Sequence, residues 1–346
     1  MTTMVRSSFA LLARAKDAPG PTLVLDADAL PSDEAALQAA LTRLRLRLRQ
    51  TRGPAGDGTE VLKWALLAPS AHPLFDVDYR FVQAMPDAPD HFDTTGNCGH
   101  SLLAAITAAA EAGRLPALRV GDRIRARVLN NGDQVVCQVD EAADGRAVFT
   151  AHFVTPPHTL LGQLLHDGGR VMRMANPYLF VDAAKLGVRS REDLFRAGQT
   201  ELYAVLERMR RTQAARLGWP VDGAFPKVAA IVPVAPGRLA ARALTVGGWH
   251  PALALTGAVC LAAASALRDT VPYRLLRAQG ESPVPGRVLV DTPSGLVAAA
   301  YTATGEGPDD ELLWVSLGDK EVRVLGPAGV DSSMVESDAV EAGHVR

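Results

Sequence analysis

The sequence predicts an α+β protein of two pseudo-symmetric domains, each a curved, mostly antiparallel sheet around one central buried helix. Three observations carry this. At 346 residues the chain has about twice the usual length of one domain. Two Ala-rich stretches, Leu102-Leu-Ala-Ala-Ile-Thr-Ala-Ala-Ala-Glu and Thr256-Gly-Ala-Val-Cys-Leu-Ala-Ala-Ala-Ser-Ala-Leu, are apolar almost all round, as in a helix buried on most sides. Short strand-like runs flank both. The expected domains are residues 1–166, holding the first helix, and 167–346, holding the second, with a last strand that can cross back to the first. Sequence identity between the halves is slight, so the repeat is one of architecture.

In the first half, Thr22-Leu-Val-Leu-Asp reads as a strand, followed by a turn at Pro31-Ser-Asp. A helix is expected from Asp33 to about Gln50, capped by Ser32 or Asp33. Its end, Arg43-Leu-Arg-Leu-Arg-Leu-Arg, alternates strictly, which leaves helix or strand open. Its arginines read as a solvated charged face rather than a nucleic-acid patch. Val61-Leu-Lys-Trp-Ala-Leu-Leu and Asp78-Tyr-Arg-Phe-Val-Gln are strands. Thr94-Thr-Gly-Asn-Cys-Gly-His-Ser leads into the first buried helix, which ends at Gly113. Strands follow at 122–129, 134–139 and 147–154, with Asn130-Asn-Gly-Asp as a hairpin turn.

The second half repeats the plan. Val171-Met-Arg-Met-Ala-Asn-Pro-Tyr-Leu-Phe-Val reads as a strand pair broken at Pro177. Glu192 to about Leu217 reads as one long amphipathic helix. Strands at 227–234 and 240–246 precede the second buried helix. Four more are expected at 287–291, 296–301, 311–316 and 321–325.

Composition narrows the function. With 36 Lys and Arg against 38 Asp and Glu, the net charge is −2, which argues against nucleic acid or an anionic membrane as the main partner. The three cysteines, Cys98, Cys137 and Cys260, make no CxxC pair and too few for a disulfide scaffold, which fits a reducing cytoplasm. The histidines form no metal-ligand spacing, so no metal is expected. The apolar run before Arg14 is too short for a secretory signal, and no run is long enough to span a membrane. No GxSxG is present, and Gly53-Pro-Ala-Gly-Asp-Gly lacks the GK[ST] ending of a phosphate loop, so it reads as a flexible connection.

Two buried helices opened by small residues offer two anion sites, because first-turn N–H groups lack intrahelical partners and the helix dipole adds positive charge. Charge developing on an enolate next to a carboxylate would be stabilised there. Cys98 stands at the start of the first helix, a position that favours the thiolate needed for proton transfer. Gly96 and Gly99 beside it allow close approach of a ligand to the backbone. Cys137 and Cys260 read as core. Lys63 interrupts an apolar strand; an edge position facing water is favoured from the pattern, and a base in a dry pocket is the sharper reading. Asn97 either binds substrate or shapes the turn, and His100 either lines the pocket or sits outside the first turn. Thr256 and Gly257 open the second helix. Thr292-Pro-Ser-Gly is a turn whose hydroxyls could bind a carboxylate, with Ser294 and Gly295 at its tip.

These residues carry a resemblance. Asp76-Val-Asp-Tyr-Arg-Phe-Val-Gln followed by Asp93-Thr-Thr-Gly-Asn-Cys-Gly-His resembles the VDYxFxQ…NCGN stretch of the methylaconitate isomerase (PrpF-like) family. Leu161-Gly-Gln-Leu-Leu, Ala175-Asn-Pro-Tyr-Leu-Phe-Val, Pro226-Lys-Val-Ala, His250 with Leu255-Thr-Gly-Ala-Val-Cys, and Thr292-Pro-Ser-Gly follow in family order. The resemblance implies a diaminopimelate-epimerase-like fold with the active site between the central helices. It implies cofactor-independent allylic isomerisation or tautomerisation of a small unsaturated carboxylate or related carbonyl compound. It places the proton-transfer groups at Lys63 and Cys98. Asn97, Gly99, His100, Thr256, Gly257, Ser294 and Gly295 are then expected around the substrate. Related two-cysteine racemases would carry a second Cys near Ala254, where none is present, so a one-base or Lys/Cys scheme is favoured over a symmetric two-thiol racemase.

The departures point to a changed substrate. The family's RGGTSKG loop is missing, with Arg6-Ser-Ser nearby; Val61 and Leu62 replace hydroxyl residues before the Lys; His100 replaces an Asn, and Thr292 a His. A biosynthetic cyclase using the same acid/base pocket, or a non-catalytic relative serving as a binding partner, are the alternative readings. An edge strand or the Arg-rich segment offers a way to pair two copies as a homodimer.

Overall fold

The computed structural model describes residues 9–50, 60–196 and 200–329. Arg6-Ser-Ser and the glycine-rich connection from Gly53 lie outside these residues. In chain order, the first half comprises β1 (Ala10–Ala15), β2 (Thr22–Asp26), α1 (Glu34–Gln50), β3 (Lys63–Pro69), β4 (Val77–Ala84), β5 (Phe92–Asp93), α2 (Gly99–Glu111), β6 (Arg123–Val128), β7 (Gln134–Ala143) and β8 (Arg146–Val154). The second comprises β9 (Leu165–His166), β10 (Val171–Met174), β11 (Asn176–Asp182), α3 (Arg191–Phe195), α4 (Thr200–Arg216), β12 (Lys227–Ala235), β13 (Arg238–Thr245), β14 (Gly248–Trp249), α5 (Leu255–Ala266), α6 (Val271–Arg277), β15 (Arg287–Thr292), β16 (Gly295–Ala303) and β17 (Leu312–Pro327).

Strand neighbours run β1-β2-β3-β4-β6-β7-β8, and β17 pairs with both β8 and β1, closing the ring. The pairings β2–β3 and β4–β6 are parallel and the rest antiparallel, so the sheet is mixed. The order recurs as β10-β11-β12-β13-β15-β16-β17, with β11–β12 and β13–β15 parallel. Helix α2 packs on β1, β2, β3, β4, β8 and β17, and α5 on β10, β11, β15, β16 and β17. Every residue of α5, and α2 from Gly99 to Ala109, is buried.

The sequence pattern follows from what covers each strand. The apolar face of α1 (Leu37, Leu41, Leu44) packs outside β2 and β3, so these strands are covered on both sides and read as continuous apolar runs. Leu202 and Leu206 of α4 do the same for β12 and β13. Strands β6 and β8 alternate buried and accessible residues because one face meets solvent.

Several expectations are corrected. The long helix from Glu192 is two helices: α3 ends where Arg196 turns extended and Arg242 Nη1 binds the carbonyls of Leu194 and Arg196, both at 2.8 Å. The strand pair breaks at Ala175, whose φ is +60°, while Pro177 lies within β11 opposite Arg173. The last two expected strands are one, β17, whose register shifts between Leu317 and Lys320. Strand β1 and helix α6 were not anticipated, although α6 carries a Thr270 cap and a proline in its first turn. Lys63 is not at a sheet edge: it opens β3, between β2 and β4.

The Arg-rich end of α1 is helical and not wholly solvated. Arg45 is 1% exposed and donates to Met85 O at 2.5 Å, Ala88 O at 2.6 Å and Glu60 Oε1 at 2.6 Å. It pins the loop after β4 to α1. Arg45→Ala leaves the buried Met85 carbonyl without its partner and Glu60 without a buried guanidinium, and is expected to cost about 3 kcal/mol in urea-denaturation stability. A loss below about 0.5 kcal/mol would show that solvent replaces these bonds.

Candidate active site

The two buried helices meet at their N-termini. Helix α2 begins after Cys98 and α5 after Ala254, and neither start has a capping side chain. The first-turn N–H groups therefore lack the side-chain acceptor that Ser, Thr, Asp or Asn would supply. Asn176, the first residue of β11, locks the two starts together. Its Oδ1 accepts from Asn97 N at 2.9 Å; its Nδ2 donates to Asn97 O at 2.6 Å and to Thr256 Oγ1 at 3.0 Å. Tyr79 donates its hydroxyl to Cys98 O at 3.0 Å. The thiol is thus fixed from both halves, and Cys98 is 8% exposed.

Glycines make this junction. A Cβ on Gly99 would lie 2.5 Å from Leu255 Cδ2, and one on Gly257 would lie 2.5 Å from the Tyr178 hydroxyl. The Phe225 ring would lie 1.8 Å from a Cβ on Gly96. The close approach expected of a ligand at Gly96 and Gly99 is therefore taken by protein side chains.

Two lysines stand over the junction. Lys63 opens β3 and Lys227 opens β12, at the same place in the recurring strand order. Burial pushes Lys227 down to about 8, with Asp93 and Cys98 opposing and Lys63 and Arg210 reinforcing the shift; its Nζ lies 4.8 Å above the Phe225 ring. Lys63 in turn acts on both His100 and His250. His100 is buried and faces inward, its ring stacked 6.4 Å from that of His250. Desolvation drives the His100 imidazole well below its ordinary range, and Lys63 adds to this. A cavity of about 290 Å³ reaches Lys227 between Met85–Asp87 of the first half and Tyr203, Arg210 and Thr245 of the second, near the lower end of ligand-pocket volumes.

Cys98, Lys63 and His100 are thus brought together, with Lys227 and His250 joining them. Asn97 lies beside them with its Nδ2 donated to Asp133 at 3.1 Å. Burial raises Asp133 to about 6, against the pull of the Asn97 and Asn131 amides. Thr256 is engaged by Asn176. Ser294 is exposed and donates to Pro251 O at 2.6 Å, so with Gly295 it forms a turn bracing the loop after His250. Cys137 and Cys260 are core thiols: both are fully buried, burial pushes both up, Cys260 to about 12, and Cys260 Sγ donates to Met172 O at 3.2 Å.

Lys227, His250 and Asn176 fell in family order without a role. One signal was available: Lys63-Trp-Ala-Leu-Leu and Lys227-Val-Ala-Ala-Ile are the same Lys-led apolar run, once per half. Asn176 had no signal beyond its place before a proline.

Among the described residues no group of His, Cys, Asp and Glu could hold a metal ion, and no helix is long and apolar enough to cross a membrane.

Residues 168–317 match the family described as PrpF protein. The protein called "Putative isomerase YbhH" of Escherichia coli K12 is 26% identical over 296 residues, covering 77% of this chain and 82% of that one. The 3-methylitaconate isomerase of Eubacterium barkeri is 24% identical over 332 residues, covering 80% and 86%. The crystal structure of methylitaconate-delta-isomerase superposes with a TM-score of 0.64 at 20% identity, covering 95% of this chain and 97% of that one. Residue order and relatives agree: the second half of the chain matches the PrpF family, and the chain is an isomerase similar to that family's members.

Proposed function

We propose that the protein moves a carbon–carbon double bond by proton transfer in a small unsaturated carboxylate or related carbonyl compound. The observation that carries this is the pair of uncapped helix starts, joined by Asn176 and flanked by Cys98, Lys63 and Lys227. In this reading residues 1–166 and 167–346 act as two pseudo-symmetric domains of the diaminopimelate-epimerase-like type, with substrate between the helices. The helix N-termini and the Lys227 ammonium receive substrate charge. One of Lys63 and Cys98 takes a proton from the carbon next to a carboxylate. The electron pair moves into the allyl system, and the other group returns a proton at its far end. Atoms and charge balance without an oxidant or reductant.

The relatives make 3-methylitaconate the first substrate to try. Incubation in D2O should place deuterium at the former methylene carbon and shift the double bond inward, both read by 1H NMR. Itaconate and an enolisable 2-oxo dicarboxylate extend the panel to less and more acidic carbons. Absence of exchange in all three, with folded protein, would sink the reading.

A further inference from the structure

His250 lies in the loop between β14 and α5 and is 3% exposed. Its backbone N–H bonds Ala243 O at 2.9 Å, and the Ala252 N–H donates to its Nδ1 at 3.1 Å. A backbone N–H can only donate, so Nδ1 must be the acceptor and the ring proton must reside on Nε2. That Nε2 is buried and has no hydrogen-bond partner. A buried donor without a partner costs about 1–3 kcal/mol, which a fold keeps for a reason. The titratable groups acting on the ring are Lys63 from β3 and Lys227 from β12, and the ring of His100 from α2 stacks on it and is acted on by it in turn. None is anionic, and burial holds His250 at about 3, so the imidazole is neutral at working pH. His100 Nδ1 and Asn97 Oδ1 are likewise buried and unpartnered beside the same junction.

We propose that His250 is a further catalytic residue, a neutral imidazole whose Nε2–H donates to the substrate oxygen on which charge accumulates when the proton leaves. This deepens, and rests on, the isomerase reading above. A neutral donor suits the task. It stabilises an enolate-like oxygen without handing over a proton, and no charge repels the two lysines beside it. The Ala252 N–H fixes the tautomer, so no reorientation is needed as charge develops.

The test uses full-length protein labelled with 15N-histidine. Between pH 6 and 8 the His250 signals should report a neutral ring protonated on Nε2, and the Nε2–H proton should move downfield as itaconate is added. In parallel, His250→Phe, which keeps a ring of similar size, should lower kcat for deuterium exchange about a hundredfold with KM nearly unchanged. His250→Gln, which restores an N–H donor, should recover part of that loss. A ring protonated on Nδ1, an imidazolium at pH 7, an Nε2–H that itaconate leaves unmoved, or full exchange in His250→Phe would overturn the assignment. Wild-type protein that shifts Nε2–H with itaconate but exchanges no panel substrate would sink the isomerase reading while leaving His250 as the oxygen-binding donor.

Discussion

Cys98→Ala should lower solvent deuterium exchange at least a thousandfold while leaving the melting temperature within about 3 °C of wild type. The loss is large because the thiol lies at the start of α2, clamped through its own carbonyl and its neighbour's backbone by Tyr79 and Asn176. A proton carrier held this rigidly gains its effect from position. The thermal effect is small because the removed sulfur makes no hydrogen bond that caps the helix. Cys98→Ser tests the chemistry itself. It keeps size and a hydroxyl, and should remain at least a hundredfold impaired, because the hydroxyl is a far weaker acid than the thiol. If Cys98→Ala and Cys98→Ser both turn over like wild type, the thiol is not a proton carrier.

The other two cysteines give the internal control. Cys137 faces inward from β7 and Cys260 lies a turn into α5 with its thiol spent on Met172 O. Burial pushes both thiols up, which keeps them protonated and unreactive. Alkylation with iodoacetamide at pH 8 should therefore modify Cys98 first, and loss of exchange should track its modification.

Much of this arrangement is legible in the sequence. Helices α2 and α5 announce themselves because a helix surrounded by sheet must be apolar on every face, and Ala keeps it thin enough for a barrel. Cys98 was visible from Asn97-Cys-Gly-His at the mouth of such a helix. Lys63 was ambiguous because a Lys opening an apolar strand looks alike at a solvent edge and in a pocket; only pairing with both β2 and β4 distinguishes them. Arg45 looked like its neighbours in an alternating run, and its burial depends on carbonyls 40 and more residues away. The polar clamp was illegible for the same reason. Asn176 meets Asn97 across 79 residues, and local sequence holds no trace of which carbonyl a buried amide will find. His250 is a subtler case, since its function follows from which nitrogen the Ala252 N–H selects.

The two strand-opening lysines should separate by pH. Lys63→Met should abolish exchange at every pH if Lys63 carries a proton. Lys227→Met should instead lower kcat/KM about a hundredfold at pH 7, mostly through KM, because its ammonium receives a substrate carboxylate. Burial has brought Lys227 to about 8, so the wild-type kcat/KM should fall about tenfold for each pH unit above that value as the ammonium is lost. Lys227→Met should lack this descending limb, and Lys227→Arg should move it beyond the accessible range. Stability should change in the opposite sense to activity. Below pH 8 the folded protein holds a buried ammonium that the unfolded chain would hydrate, and this costs stability. Between pH 8 and about 10.5 only the unfolded state binds the proton, so wild-type stability rises with pH across that window. Lys227→Met escapes the cost. At pH 7 its melting temperature should exceed wild type by about 2–4 °C, on the order of 1 kcal/mol, with the gap narrowing towards pH 10. A less stable, fully active Lys227→Met would show that the buried cation serves packing rather than substrate.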